Sequence, residues 1–262
     1  MSRDACAEIP PVSSDYVPKG TYETVGGLKT CKHGNIYIYI YVIGPPSATR
    51  AIIDLYDVFG LSPQTLQGAD RLSAALDALV IVPDFFAGVY AQHEWLPPDT
   101  DEKKEAFARF RAEQAALPKN VEKLLAVRRA AAERWPSTTD RWGAFGLCWG
   151  GKVAVLVSGK ANEGPSRLFK ATGAAHPGLL AAEDAEALTT PHICLPSSDE
   201  PADVVAQYKE IYARLGKTGV VETYGTMFHG WMGARSNLAD EKNKAEYERG
   251  YNQVADFFDK YL

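Results

Sequence analysis

The stretch Trp142-Gly143-Ala144-Phe145-Gly146-Leu147-Cys148-Trp149-Gly150-Gly151-Lys152-Val153-Ala154 decides how the rest of the sequence is read. An apolar run suited to a buried strand enters it, and a helical pattern rich in Val and Ala leaves it. Gly146 and Gly150 stand two residues to either side of Cys148, giving G-x-C-x-G. A sharp strand-to-helix turn strains the backbone at its apex, and side chains two positions away would collide with the turn or the next helix. This is the nucleophile-elbow pattern, with sulfur where a serine oxygen is usual. The turn also puts the sulfur at a helix N-terminus, whose partial positive charge favours a thiolate. A free thiol is mostly protonated at neutral pH, and a helix terminus contributes only roughly 0.3–2 kcal/mol, so the pattern calls for a base elsewhere in the chain.

Outward from the elbow, short apolar runs recur. Ala51–Tyr56, Ala78–Val82, Ala171–Ala175, His192–Leu195 and Val220–Tyr224 flank Trp142–Phe145 and suit strands buried on both faces. Ile36–Ile43 alternates isoleucine with tyrosine, the period-two pattern of a strand with two different faces. Helical spacing appears over Gln67–Leu76, Glu102–Leu117, Val121–Trp135, Ala202–Leu215 and Lys242–Tyr261, with Pro118 separating the second and third. Strands alternating with helices predict an α/β fold with a mostly parallel central sheet flanked by helices. No repeat or linker divides the chain. It reads as an irregular, Pro- and Gly-rich lead-in over residues 1–35 and a single domain over 36–262.

Composition narrows the chemistry. The 262 residues carry a formal net charge of -5 and no basic block, which disfavours nucleic acid as a partner. The acidic and basic residues interleaved between Asp101 and Trp135 read as the solvated face of crossover helices. The N-terminal sequence lacks a secretory apolar core, and no apolar run approaches the roughly 20 residues of a membrane helix, so a cytoplasmic protein is expected. Four cysteines (Cys6, Cys31, Cys148, Cys194) and five histidines (His33, His93, His176, His192, His229) lack the spacings of a disulfide framework or a zinc site. A structural metal site is therefore not expected.

In elbow architectures the acid and then the histidine follow the nucleophile, each on a loop after a later strand. His229, in Gly225-Thr226-Met227-Phe228-His229-Gly230-Trp231, follows the Val220 strand and is the candidate base. Pro196-Ser197-Ser198-Asp199-Glu200-Pro201 follows the His192 strand. Asp199 is the expected acid, with Glu200 and Asp203 as competitors. His176 ends another strand on the side where open α/β sheets bind ligands, and is expected in the pocket. Cys194 and His192, within a strand, read as core.

With these residues in place, the chain resembles the dienelactone hydrolase family, its fungal branch in particular, within the α/β-hydrolase superfamily. The resemblance runs from about Thr21 onward. It rests on Tyr56-Asp57-Val58-Phe59-Gly60, Pro83-Asp84-Phe85-Phe86, Gly146-Leu147-Cys148-Trp149-Gly150-Gly151, Ser198-Asp199 and His229-Gly230-Trp231-Met232. It implies a Cys148–Asp199–His229 triad that cleaves small-molecule esters or lactones through a thioester, with neither a metal nor an organic cofactor. It also implies that Asp57 modulates the thiol, where bacterial members carry Glu, and that the Val58 and Trp149 amides form the oxyanion hole. Arg235 resembles an arginine that meets a substrate carboxylate, while the second such arginine of bacterial members has no assignable position here. Phe86, Tyr90, Trp149 and Trp231 are candidates for an apolar substrate pocket. Two other readings stand beside this one: a thioesterase or esterase of secondary metabolism using the same triad, and a catalytically silent scaffold that binds a small molecule or protein. Sequence does not say whether the chain forms a homo-oligomer.

Overall fold

The computed structural model describes residues 9–29, 35–138, 140–159, 162 and 167–262, so Cys6, Cys31 and His33 lie outside the described residues. Eight strands form one sheet: β1 (Thr21–Lys29), β2 (Asn35–Ile43), β3 (Ala51–Leu55), β4 (Leu79–Pro83), β5 (Trp142–Leu147), β6 (Ala171–Ala175), β7 (His192–Leu195) and β8 (Gly219–Val221). Their spatial order is β1-β2-β4-β3-β5-β6-β7-β8. The β1/β2 and β2/β4 pairs are antiparallel, and the pairs from β4 through β3 to β8 are parallel. The expected single α/β domain with a mostly parallel sheet is therefore present. All residues of β3, β4, β5, β6 and β7 are buried, which explains why these strands appear in the sequence as apolar runs without alternation.

Among the described residues, seven α-helices accompany the sheet: α1 (Pro63–Leu76), α2 (Asp101–Glu113), α3 (Leu117–Arg134), α4 (Trp149–Val157), α5 (Ala182–Ala187), α6 (Ala202–Leu215) and α7 (Glu241–Tyr261). Alternate residues of β5 show how the layers divide, since neighbours on a strand face opposite ways. Gly143 lies under Phe258 of α7 and Phe145 meets Tyr251 of α7, whereas Gly146 touches the backbone of α4. The sheet is thus sandwiched between α7, with α1 packed beside it, and α4, with α3 packed beside it.

Two expectations are corrected. The break in the charged helical region falls at residues 114–116, and Pro118 lies in the first turn of α3. There its missing N–H removes no intrahelical bond, so proline starts this helix instead of ending the previous one. The lead-in is not irregular throughout, because Thr21–Lys29 pairs with β2. Its strand signal is weakened by Gly26-Gly27, which coincide with a shift in register between Val25 and Leu28. Ahead of β1, the chain is strapped to the domain. The Tyr16 hydroxyl and the Lys19 amide donate to Asp70 Oδ2 at 2.6 and 2.9 Å, and Tyr41 donates to the other Asp70 oxygen. Further back, the Val12 amide donates to the Ala234 carbonyl at 2.8 Å, and Gln64 Nε2 donates to the Val12 carbonyl at 2.7 Å.

Asp54, in β3, is fully buried, and among the described residues neither of its carboxylate oxygens makes a well-formed hydrogen bond, the adjacent Leu55 amide only partly opposing the effect of burial. Burial pushes this carboxyl up to about 8. An unfolded chain loses the same proton near pH 4, so the folded state binds more protons between about pH 4 and 8 and stability falls as pH rises through that window. Asp54→Asn is expected to remove this slope. Urea unfolding should show the variant gaining on the native protein from pH 4 to pH 8 by roughly 3–5 kcal/mol. A difference that stays constant with pH would mean that Asp54 is ionised in the fold.

Candidate active site

β5 delivers Cys148 to the C-terminal edge of the sheet, and α4 leaves immediately behind it. Cys148 has φ 51° and ψ −111°, a left-handed φ for a residue other than glycine. Such a conformation costs on the order of 1–3 kcal/mol and persists only where the surroundings enforce it. The flanking glycines explain how it is enforced. A Cβ on Gly146 would stand 2.2 Å from the Gly150 carbonyl, and one on Gly150 would stand 2.3 Å from the Leu55 carbonyl oxygen. Helix α4 therefore sits directly on β5 and β3, and the connecting residue has no relaxed alternative. Hydrogen bonds secure the apex: the Cys148 amide donates to the Ala175 carbonyl at 3.2 Å, and the Gly178 amide donates to the Cys148 carbonyl at 2.8 Å.

The base comes from the loop after β8. His229 is 3% exposed, and its Nδ1 lies 2.6 Å from Glu200 Oε1. Here the structure departs from the expected acid. Asp199, only partly buried, accepts from the His229 backbone amide through Oδ2 at 2.7 Å, so it holds the loop and not the ring. Glu200 is buried, and its second oxygen accepts from the Ser197 amide. The reason lies in the turn after β7. Two adjacent side chains point in different directions there, and only the longer, inward one reaches the imidazole. Asp203 lies on the first turn of α6.

Asp57 is also committed to backbone. Its Oδ1 accepts from the Phe59 amide and its Oδ2 from the Ala234 amide, both at 2.9 Å. These bonds brace the loop after β3 against the loop after His229. Burial pushes the Asp57 carboxyl up, opposed by these amides and by Arg235 and His229. Val58, the next residue, carries one of the two expected oxyanion donors. Trp149 carries the other, and as the first residue of α4 its amide is among those a helix leaves without an internal partner. Arg235 is 2% exposed, donates from Nε to the Ile9 carbonyl at 2.6 Å and stacks 4.8 Å over the Phe59 ring.

The aromatic candidates separate into two groups. Phe86 and Tyr90 join Tyr56 and Trp149 in one cluster, with Phe86 4.5 Å and Tyr56 6.2 Å from the Trp149 ring. Tyr56 is the hub, accepting from the Phe86 amide at 2.7 Å and donating to Asp84 at 2.9 Å. Sequence reading missed this role, although both partners lie in the Tyr56-Asp57 and Pro83-Asp84-Phe85-Phe86 motifs. Trp231 packs elsewhere, stacked 4.3 Å on Tyr224 and lying against Gly250 of α7. His176 immediately follows β6, is fully buried, and sets its ring edge-on 5.1 Å from that of His229. Cys194 lies in the core of β7, where burial pushes its thiol far up, in keeping with the inert role expected of it.

The dienelactone hydrolase family model matches residues 38–262. The chain belongs to the dienelactone hydrolase family. An uncharacterised AIM2-family protein of Schizosaccharomyces pombe is similar at 34% identity, over 95% of this chain and 94% of its own. "Hydrolase pyvD" of Aspergillus violaceofuscus is similar at 26% identity, covering 92% of each chain. Among solved structures, a putative dienelactone hydrolase from Klebsiella pneumoniae superimposes with a TM-score of 0.70 at 17% identity, over 92% of this chain and 99% of its own. That likeness shows that this dienelactone hydrolase family member has the α/β-hydrolase fold. No described helix is long and apolar enough to cross a membrane.

The two acids make a clean comparison. Glu200→Gln is expected to lower kcat/KM on an activated ester by about 100-fold or more, through loss of ring orientation and imidazolium stabilisation. Asp199→Asn should cost less than about tenfold in activity and about 1–3 kcal/mol in stability. Esterase kinetics with urea unfolding on both variants check this. The opposite ranking would return the orienting role to Asp199.

Proposed function

We propose that this dienelactone hydrolase family protein cleaves carboxylic ester or lactone bonds with Cys148 as nucleophile, His229 as base and Glu200 as the acid that orients the base. The observation that carries this reading is Cys148 itself, a strained residue at the tip of a buried strand and the start of a buried helix, between two glycines that leave no room for a Cβ. A residue placed there for packing alone would be glycine, which takes this left-handed backbone without strain. The family match and the similarity to the Aspergillus hydrolase support the same class of chemistry.

In this mechanism His229 takes the Cys148 proton, and Glu200 stabilises the resulting imidazolium across the 2.6 Å contact. The thiolate attacks the ester carbonyl carbon. The oxygen that becomes negative is met by the Val58 and Trp149 amides, which are fixed in place by the Asp57 brace and the α4 N-terminus. Collapse expels the alcohol, which takes its proton from His229 and leaves a thioester on Cys148. Water then releases the acid. Thiolates leave readily, so activated esters and strained lactones suit this site better than amides. Asp199 sets the position of His229 through the backbone, and Asp57 acts on the site through the loops it joins.

The Tyr56–Phe86–Tyr90–Trp149 cluster supplies an apolar wall beside the nucleophile for the acyl or alcohol portion. Arg235 commits Nε to the Ile9 carbonyl and its face to Phe59, which favours an uncharged substrate over a carboxylate-bearing one.

Turnover of p-nitrophenyl acetate and of an aromatic lactone by the native protein, Cys148→Ala, His229→Ala and Cys194→Ala tests the assignment. The first two substitutions should lower kcat by at least about 1000-fold, and the third should leave it within about twofold. Mass spectrometry of the quenched native reaction should find the acyl group on Cys148. Unchanged turnover in Cys148→Ala would defeat the nucleophile assignment.

A further inference from the structure

His176 is the buried group of this site that the mechanism above leaves without a task. Its backbone lies in the left-handed region at φ 37°, a second strained non-glycine residue beside the strained Cys148. The strain is locked in by the nucleophile. Residue 175 accepts from the Cys148 amide and residue 178 donates to the Cys148 carbonyl, so His176 lies in a segment hydrogen-bonded to both backbone polar groups of Cys148. Its own amide donates to the Leu195 carbonyl at 2.8 Å, which ties it to the strand that leads to Glu200. The ring is fully buried and edge-on to the His229 ring at 5.1 Å.

Among the described residues, neither ring nitrogen of His176 makes a well-formed hydrogen bond to another residue. Leaving a buried donor and a buried acceptor unsatisfied is destabilising, and a leucine or phenylalanine would fill the space without that cost. Burial, then the neighbouring His229 and Arg235, hold the imidazole well below its ordinary range. It is therefore neutral, with one N–H to donate and one lone pair to accept. A neutral imidazole neither competes with His229 for the transferred proton nor supplies one. What it offers is a pair of complementary hydrogen-bonding atoms beside the His229 ring, on a segment hydrogen-bonded to the Cys148 backbone.

We propose that His176 holds the water that hydrolyses the thioester. The proposal rests on the cysteine-nucleophile reading and adds a separate residue for the second half of the cycle. A water molecule bound to His176 faces the imidazole of His229 on one side and the acylated sulfur of Cys148 on the other. Its oxygen forms the new bond to the thioester carbonyl carbon as its proton passes to His229. The carbon–sulfur bond then breaks, and its electron pair returns to the Cys148 sulfur. The products are the carboxylic acid and the thiolate–imidazolium pair that begins the next turnover.

Acylation and deacylation are separable with p-nitrophenyl acetate, where the burst of p-nitrophenolate reports the first step and the steady state reports the second. His176→Phe keeps a ring edge-on to His229 without hydrogen-bonding atoms, and His176→Asn keeps a donor and an acceptor on a shorter side chain. The expected result for His176→Phe is a burst of one equivalent with a rate constant within about twofold of native, followed by a steady-state rate lowered about 10–100-fold. Mass spectrometry should show the acetyl group accumulating on Cys148. His176→Asn should recover part of the steady-state rate. Added hydroxylamine, which needs no bound water, should discharge the acyl-enzyme at native speed in both variants. A His176→Phe protein with native steady-state turnover, or with burst and steady state lowered in parallel, would overturn the proposal. A native protein that forms no acyl group on Cys148 would overturn the nucleophile reading itself, and this one with it.

Discussion

The contact between the backbone of α4 and the ends of β3 and β5 is the constraint on which the other features of the site depend. Only because Gly146 and Gly150 lack a Cβ does the helix lie directly on the sheet; a Cβ on Gly150 would stand 2.3 Å from the Leu55 carbonyl oxygen. That closeness leaves the connecting residue a single turn in which to reverse direction, and Cys148 takes a positive φ to do so. The same turn fixes the first amide of α4 and sets the sulfur at the positive end of the helix dipole. A looser packing of α4 would relax the backbone and lose the alignment of nucleophile, dipole and amide together.

Around this apex, much of the buried charge is used to hold loops. Asp57 joins the loop after β3 to the loop after His229, and Asp199 joins the loop after β7 to the His229 amide. Charge-assisted bonds of this kind are worth about 1.5–3 kcal/mol each. They act here on segments that have little regular structure of their own. Lys152 and Asp184, paired at 2.5 Å and nearly buried, fasten α4 to α5 and so restrain the segment that carries His176. The N-terminal strap adds a further restraint through Val12 and Ile9, which reach the 234–235 backbone and the Arg235 side chain. The geometry of the site is thus a property of four loops clamped to one another as well as to the sheet.

Strands that are buried on both faces could be read directly from the chain, because nothing but apolar residues is tolerated there. Ala171–Ala175 and His192–Leu195 match β6 and β7 residue for residue, and Ala202–Leu215 matches α6. Less legible were segments whose partners lie far off in sequence. β1 is an edge strand interrupted by two glycines and defined by its pairing with β2. Pro118 terminates or initiates a helix depending on which side of it the chain turns, and local propensity does not decide that. Tyr41, on the outward face of β2, is buried because the strap covers it and because Asp70 accepts from its hydroxyl.

By itself, the sequence determined the fold class, the strand-to-helix turn at Cys148 and the loops after later strands that carry Glu200 and His229. Those properties follow from local rules: apolar runs for buried strands, paired glycines where a helix touches a sheet, and histidine as the side chain suited to proton transfer near neutral pH. Tertiary structure alone decided which of two adjacent carboxylates faces the imidazole, which aromatic residues stand beside Cys148, and that His176 is bracketed to the nucleophile. These depend on side-chain direction at irregular turns and on loops brought together from points dozens to nearly two hundred residues apart. Asp199 and Glu200 are chemically near-equivalent in the sequence. Burial and one additional methylene give Glu200 the ring, while the exposed shoulder of the turn leaves Asp199 the backbone amide.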